Sequence, residues 1–563
     1  MPQLVSTRKS SRETWLALLF FAAVAAICMW PVLRSFTTTI YATPGDPQAQ
    51  LHTFWWSITH TIPFNFPSQP LLMGAGQLLS KLFGDVAAYN LIVLFQFMFS
   101  AIPFYLIVRK FTKSQPAALL SGLIMEISPY RLARASQHLN LANVGFIGFF
   151  LYFLFESDEN PSTRNMLLAS SAFVLATLES YQYGLFIGAL FVLFLFCKLC
   201  QLAFSKIKPT WSLKRTVTIC LGILISFSVI GVFASSFFSD AKSFNEGRSV
   251  TVAPVRNKES LTVYSAKTLY YLAPAPTSMA FGSITTSHYS DLVNQLGTNT
   301  TEQIIFLGYT SMALSLIFLC YFLAKHRQGN PTLVVWFLLL VATVGTVLSF
   351  SAPWKIGSRT IDSPAMHIFA HLPFFRAYVR LGLFPLVAVT IFSGLALPLI
   401  LSKCKTVGAR HTFTALLFIF VVTEFAVSPA SSTLDVSASA MPPVYQWLET
   451  QAPGSIAEYP FYPQESPLGY DYLVWHRVYN RALVNYSDAN QQDTLFDVSR
   501  ATTINQLANL GVTYIVIHED RYLDPIHTGV ESKVLNGGSI PLLTSPRLNL
   551  AATFGSTKVY QLR

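Results

Sequence analysis

One carboxylate stands out for its setting. Asp46 lies in YATPGDP, just after the first apolar stretch, and Gly45 and Pro47 force the backbone to turn around it. A carboxylate at a membrane edge can accept a proton from a sugar hydroxyl or help hold a divalent cation such as Mg or Mn; an ordinary surface turn is the competing reading. Arginines gather in SPYRLARASQHLN, where Arg131 and Arg134 precede His138. They gather again in HLPFFRAYVR, where Arg376 and Arg380 are four apart and are expected on one helical face. A planar guanidinium grips a phosphate through two parallel hydrogen bonds. An anionic headgroup is therefore one expected partner of these arginines; the alternative is a neighbouring acid such as Asp46 or Glu179 for Arg131 and Arg134, and ordinary interfacial packing for Arg376 and Arg380. Glu179, in LATLESYQYG beside Tyr181 and Tyr183, ends an apolar stretch, where a carboxylate is costly unless paired or bound to an ion. Glu302 opens TEQIIFLGY and reads as an acidic cap on the helix that follows.

The elements that must carry these residues are membrane helices. About eleven long apolar stretches run through the chain, at 14–37, 86–108, 115–129, 139–155, 166–180, 182–204, 216–237, 303–324, 331–350, 381–401 and 411–428. A helix needs about 20 apolar residues to cross the hydrocarbon. Composition agrees, with 52% hydrophobic residues, 46 Phe and only 12% charged. The expected fold is thus a polytopic, all-α membrane protein at 1–428 with a small α/β domain at 429–563. In that tail PVYQWLET reads as a helix, SIAEYPF as a strand, 502–510 as a helix stopped by Gly511, and VTYIVIH as a buried strand.

Charge placement sets the expected topology. The tail holds 12 acidic and 8 basic residues, a net of −4, so the rest of the chain carries +15. That excess sits at helix ends, which argues for the positive-inside rule and contact with membrane lipids, and against nucleic acid. With the N-terminus in the cytoplasm, every inward loop holds Lys or Arg; loop 156–165 votes weakly, because Glu156, Asp158 and Glu159 outnumber Arg164. The long connections 38–85, 130–138, 238–302 and 351–380, and the tail, then lie outside. Segment 48–62, with Trp55 and Trp56, is expected to lie in the membrane interface, and 67–83 to form a second such helix or a re-entrant one. The first apolar stretch lacks a clean cleavage site and is expected to be retained. Cys197 and Cys200 have CxxC spacing but no second ligand pair, so membrane packing is their expected role. No phosphate-binding glycine loop is present.

Taken in order, GDPQAQLHTFWW, YNLIVLFQFMFSAIPFYLIVRKFT, SGLIMEISPYRLARASQHLN, SYQYGLF, FLGY, FFRAYVRLGLF and PVYQWLE resemble the GT-C superfamily of bacterial membrane glycosyltransferases, in particular its YfhO-like branch. The resemblance implies a sugar passed from a polyprenyl-phosphate donor to an envelope glycan or lipid acceptor, on the outer side of a bacterial cytoplasmic membrane. It also implies that the acid of the first outer loop, here Asp46, is the base or a metal ligand. The paired acids usual at that position are absent, since Gly45 and Pro47 flank a lone Asp. On this reading Arg131, Arg134, Arg376 and Arg380 face the donor phosphate, and His138, Glu179 and Tyr181 orient the acceptor or hold an ion. A multi-pass transporter or flippase, and a non-enzymatic envelope assembly protein, are the alternative functions. The transporter calls for charges deep within several spans lining a path, and the assembly protein predicts no cavity joining Asp46 to the arginines.

Overall fold

The computed structural model describes residues 2–59, 69–160, 162–204, 258–296, 300–326, 333–371, 375–460, 470–479, 481, 483–484, 495, 497–523 and 540–563. The apolar stretch expected at 216–237 lies outside the described residues.

The chain is mostly helical. It runs α1 (Pro2–Cys28), α2 (Trp30–Leu33), β1 (Thr39–Tyr41), α3 (Asp46–Thr59), α4 (Pro70–Phe83), α5 (Asp85–Thr112), α6 (Gln115–Ile127), α7 (Pro129–Gln137), α8 (Gly145–Glu159), α9 (Thr163–Glu179) and α10 (Tyr181–Phe204). After the short helices α11 (Lys258–Val263) and α12 (Thr268–Leu272) come α13 (Gly282–Leu296), α14 (Tyr309–His326) and α15 (Leu333–Ser349). The hairpin β2–β3 (Trp354–Ile356, Arg359–Ile361), α16 (Pro364–His371), α17 (Leu383–Leu401) and α18 (Val407–Phe425) complete the apolar region.

Five segments among the described residues are long and apolar enough to cross a membrane: Asp85–Thr112, Leu139–Glu159, Tyr181–Gln201, Tyr378–Leu401 and Val407–Phe425. Three shorter apolar helices, Gln115–Ile127, Tyr309–Lys325 and Leu333–Ser349, pack among them. Water cannot satisfy backbone groups inside a bilayer, so helices are the economical form for such runs. Small residues let them approach: a Cβ on Gly122 would meet the Phe21 ring at 2.3 Å, and one on Gly394 would meet Val108 at 2.7 Å.

The two ends of the bundle differ. At one end Arg109 pairs with Glu13, Lys110 with Glu156 (2.9 Å) and Glu159 (2.7 Å), and Lys198 with Asp158. The acids of loop 156–165 that weaken the topology count are thus neutralised by lysines of neighbouring helices. The opposite end carries β1, α3, α4 and α7. There β1 pairs antiparallel with β4 (Thr433–Asp435), so the tail is sewn to the first long loop. Asn90 of α5 braces β1, accepting from the Tyr41 N–H at 3.1 Å and donating to the carbonyls of Phe36 and Thr39 at 2.8 Å each.

Beyond β4 the tail builds its own core. Helices α19 (Pro443–Thr450), α20 (Tyr470–Tyr479), α21 (Ala501–Asn509) and α22 (Glu519–Leu523) accompany strands β5 (Ser455–Tyr459), β6 (Val512–His518), β7 (Leu548–Phe554) and β8 (Thr557–Leu562). The sheet order is β5-β6-β8-β7, with β5 and β6 parallel and the other pairs antiparallel. Gly511, at φ 75°, turns the chain from α21 into β6, as its position in the sequence suggests. Buried Leu448, Ile456, Leu507, Ile515 and Val559 fill the space between sheet and helices.

Candidate functional site

Asp46 is the first residue of α3, and the chain before it is fastened to the end of α7. The Thr43 N–H donates to the Ser136 carbonyl at 2.9 Å, and Gln137 Nε2 donates to the Pro44 carbonyl at 2.9 Å. His138 follows α7 directly, so these bonds bring the two residues together. His138 Nδ1 lies 2.9 Å from Asp46 Oδ2, and its Nε2 lies 2.9 Å from Glu302 Oε1. Asp46 is 53% exposed at its side chain whereas Glu302 is 2% exposed, so the imidazole spans from surface to interior.

Glu302 is the hub. It sits in a 3-10 turn (Thr301–Gln303) packed against α7. Its Oε2 accepts from Arg134 Nη1 at 2.8 Å and from Arg380 Nε at 3.1 Å, and its Oε1 accepts from Arg380 Nη2 as well as from His138. Arg134 Nη2 donates to the Glu302 carbonyl at 3.3 Å. Arg380 Nη1 reaches Gln182 Oε1 at 2.7 Å, and Gln182 Nε2 is 3.4 Å from the Tyr181 hydroxyl, so Tyr181 stands at the rim of the network. Arg134 is wholly buried, which is tolerable only because its charge is met by a carboxylate with good geometry.

The electrostatics follow from this packing. Burial works against the charged form of Glu302, but Arg134 and Arg380, aided by His138, hold its carboxyl well below the ordinary 4.5. Burial likewise disfavours a charged His138, yet the hydrogen bonds and charges of Asp46 and Glu302 prevail and raise its pKa above the ordinary 6.5. A protonated His138 donates from both nitrogens, one proton to each carboxylate. Asp46 and Glu302 then carry two negative charges against three positive ones on His138, Arg134 and Arg380. The cluster, its exposed carboxylate included, holds one net positive charge.

Asp46, Arg134, His138 and Arg380 are therefore brought together, and other residues singled out in the sequence are not. Arg131 is one turn from Arg134 but takes a different environment. It is fully buried, lies 3.7 Å above the Phe97 ring and donates from Nη1 to the Glu126 carbonyl at 2.9 Å. It packs among α5, α6 and α7, apart from the Glu302 network. Glu179 is buried and accepts from Gln96 Nε2 (3.1 Å) and Asn143 Nδ2 (2.8 Å). Among the described residues neutral amides, and no arginine, hydrogen-bond to it there. Arg376 sits 5.0 Å from the Tyr264 ring. It does not share an α-helical face with Arg380, because Tyr378–Gly382 is a 3-10 turn and Arg376 precedes it.

Glu302 is the functional residue that the sequence misassigns. The helix after it begins only at Tyr309, beyond an extended run and Gly308 at φ 86°. Its first N–H groups are capped instead by Glu424 of α18, which accepts from Tyr309 and, at 3.1 Å, from Thr310. The signal available was that glycine, which separates the acid from the apolar run. Gln182 was overlooked as well; its position is marked only by adjacency to Tyr181.

As a metal centre the arrangement fits poorly. Among the described residues no group of three or more His, Cys, Asp or Glu is placed to hold a metal ion. Both nitrogens of His138 are already hydrogen-bonded to carboxylates, so it offers no spare donor beside Asp46.

A family model described as "Domain of unknown function (DUF6311)" matches residues 66–425. The chain belongs to this family. Arg134, His138, Glu302 and Arg380 lie inside the DUF6311 segment; Asp46 and the C-terminal sheet lie outside it. No curated protein matches the chain.

Proposed function

We propose that this protein is a membrane glycosyltransferase of GT-C type, with eleven spans, that moves a sugar from a polyprenyl-phosphate donor to an envelope glycan or lipid. In this reading it lies in a bacterial cytoplasmic membrane with its N-terminus inside. The C-terminal domain and Asp46 then face outward. One observation carries the reading: an exposed carboxylate is joined through a single histidine to a buried glutamate that gathers two arginines.

Asp46 has the position required of a general base. His138 holds Oδ2, while Oδ1 makes no hydrogen bond among the described residues. The acceptor hydroxyl gives its proton to Asp46 as its oxygen bonds to the anomeric carbon. The bond from that carbon to the phosphate oxygen breaks, and the electron pair leaves on the polyprenyl phosphate. The net positive charge of the His138–Glu302–Arg134–Arg380 cluster favours that departing anion. Fixed charge of this kind acts without reorganisation at the moment of reaction. Glu302 aligns the two guanidiniums and orients His138, which in turn fixes the Asp46 carboxylate.

The test uses full-length protein in lipid nanodiscs with a panel of polyprenyl-phosphate sugars and lipid or glycan acceptors, products being read by mass spectrometry. Transfer is expected, and Asp46→Asn is expected to lower it by about 10²–10⁴-fold with folding intact. An Asn variant as active as the parent removes Asp46 from the chemistry; a panel with no transfer by the parent removes the glycosyltransferase reading. Transport is the second reading, favoured by Glu126, whose buried carboxylate oxygens make no hydrogen bond among the described residues. It predicts lipid or glycan flux into vesicles without covalent product.

A further inference from the structure

The turn that presents Asp46 is held from two directions. Gly45 precedes α3 with φ 136°, a conformation that side chains other than glycine rarely take. Its N–H donates to Gln48 Oε1 at 2.8 Å, and the Gln48 N–H donates back to the Gly45 carbonyl at 2.9 Å. This is the return half of a capping box, with the third helical residue reaching back to the cap. The other end of the same amide points to a different part of the chain: Gln48 Nε2 donates to Asp471 Oδ1 at 2.5 Å. Asp471 lies in the first turn of α20, in the C-terminal domain, and its Oδ2 accepts from Arg521 at 3.3 Å. Gln48 is 3% exposed, so water is a poor substitute for either partner.

Helix α20 continues along the membrane region. His476 Nδ1 lies 3.0 Å from His52 Nε2 of α3, and Arg477 bonds Asp85 Oδ2 at the start of α5 at 3.0 Å. The C-terminal domain therefore rests on the helix whose first residue is Asp46, and the Gln48 amide, two residues from Asp46, is one of its contacts. An amide has one accepting and one donating end. Asp471, which only accepts, selects the orientation in which Gln48 offers its oxygen to Gly45. Without that partner the amide can rotate, and a flipped amide sets N–H against N–H at the turn.

We infer that Gln48 and Asp471 are positioning residues through which docking of the C-terminal domain sets the orientation of Asp46. The consequence for turnover rests on the proposed role of Asp46 as base; the mechanical link does not. If it holds, the tail is a working part of the site, and its docking state governs how well Asp46 is aligned.

The test compares full-length parent, Asp471→Ala, Asp471→Asn, Gln48→Glu and the double variant Gln48→Glu/Asp471→Asn in nanodiscs. The first readout is backbone hydrogen exchange over residues 45–50, with strand β6 as the folding control. Asp471→Ala and Gln48→Glu are expected to exchange about tenfold faster in this turn, with β6 unchanged. Asp471→Asn keeps the oxygen that Gln48 needs but turns its other end into a donor facing Arg521, so it should exchange more slowly than Asp471→Ala though faster than the parent. The double variant reverses donor and acceptor and should match the parent. The second readout is transfer: Asp471→Ala should lower kcat while the donor KM stays constant, and Asp471→Asn should recover part of that loss. Unchanged exchange over 45–50 in both Asp471→Ala and Gln48→Glu overturns the inference, as does an Asn variant that behaves like Ala. If the parent transfers no sugar, the glycosyltransferase reading fails while the exchange comparison still decides the link.

Discussion

Replacing Glu302 by Gln changes one atom type and should disrupt the whole cluster. The carboxylate accepts four side-chain bonds: from Arg134 and Arg380 on Oε2, and from Arg380 and His138 on Oε1. An amide retains one accepting oxygen and turns the other position into a donor that faces donors. Two charge-assisted bonds are lost, each contributing about 1.5–3 kcal/mol. Arg134, wholly buried, also loses its counter-charge. The expected loss is about 3–5 kcal/mol of stability, as for other buried ion pairs deprived of one partner. Reversible unfolding in mixed micelles measures this, and NMR titration of the His138 ring measures the second effect, a fall in its pKa once a facing negative charge is gone. A Gln variant within about 1 kcal/mol of the parent, with His138 titrating unchanged, refutes the assignment of Glu302 as hub, since surface pairs alone give so small an effect.

Stability should also depend on pH in two opposite senses. His138 has a raised pKa when folded, so its contribution is complete below about 6.5 and is lost as pH rises through the raised value. Glu302 has a depressed pKa, so its contribution is present above about 4.5 and is lost as pH falls toward the depressed value. Unfolding measured from pH 3 to 9 should show both flanks, and His138→Gln should remove the alkaline one. Arg131→Met should cost only about 1–2 kcal/mol, chiefly the stacking on Phe97, and leave the donor dependence of transfer unchanged; a large rise in donor KM would place Arg131 back in the phosphate site.

Much of the site was readable from charges in places where a membrane protein tolerates them badly. Asp46 was marked by its turn, and Arg134, His138 and Arg380 by lying between apolar runs. What a linear reading lacks is partner choice. Arg131 and Arg134 are three apart with the same chemistry, yet one lies on a phenylalanine and the other on Glu302. Glu179 looked like a charge in need of a cation, but Gln96 and Asn143, distant in sequence, meet it with amides. Glu302 was hidden because an acid before an apolar run is also what a helix cap looks like. Five of the eleven expected spans are helices long enough to cross among the described residues, since about twenty apolar residues have few alternatives in a bilayer. The tail's α19, β5, α21 and β6 follow from turn residues and apolar spacing, whereas the seat of α20 on α3 depends on long-range contacts that no local pattern encodes.

The ribbon formed by β1 and β4 joins residues 39–41 to residues 433–435. A ribosome delivers the first of these strands long before the second exists. Until then the early strand has Asn90 for support but no complete ladder. A chain cut short before residue 433 would keep the bonds of Thr43 and Pro44 to the end of α7 but lack the second strand of the ribbon. The ribbon is completed only when a late part of the chain closes on an early one.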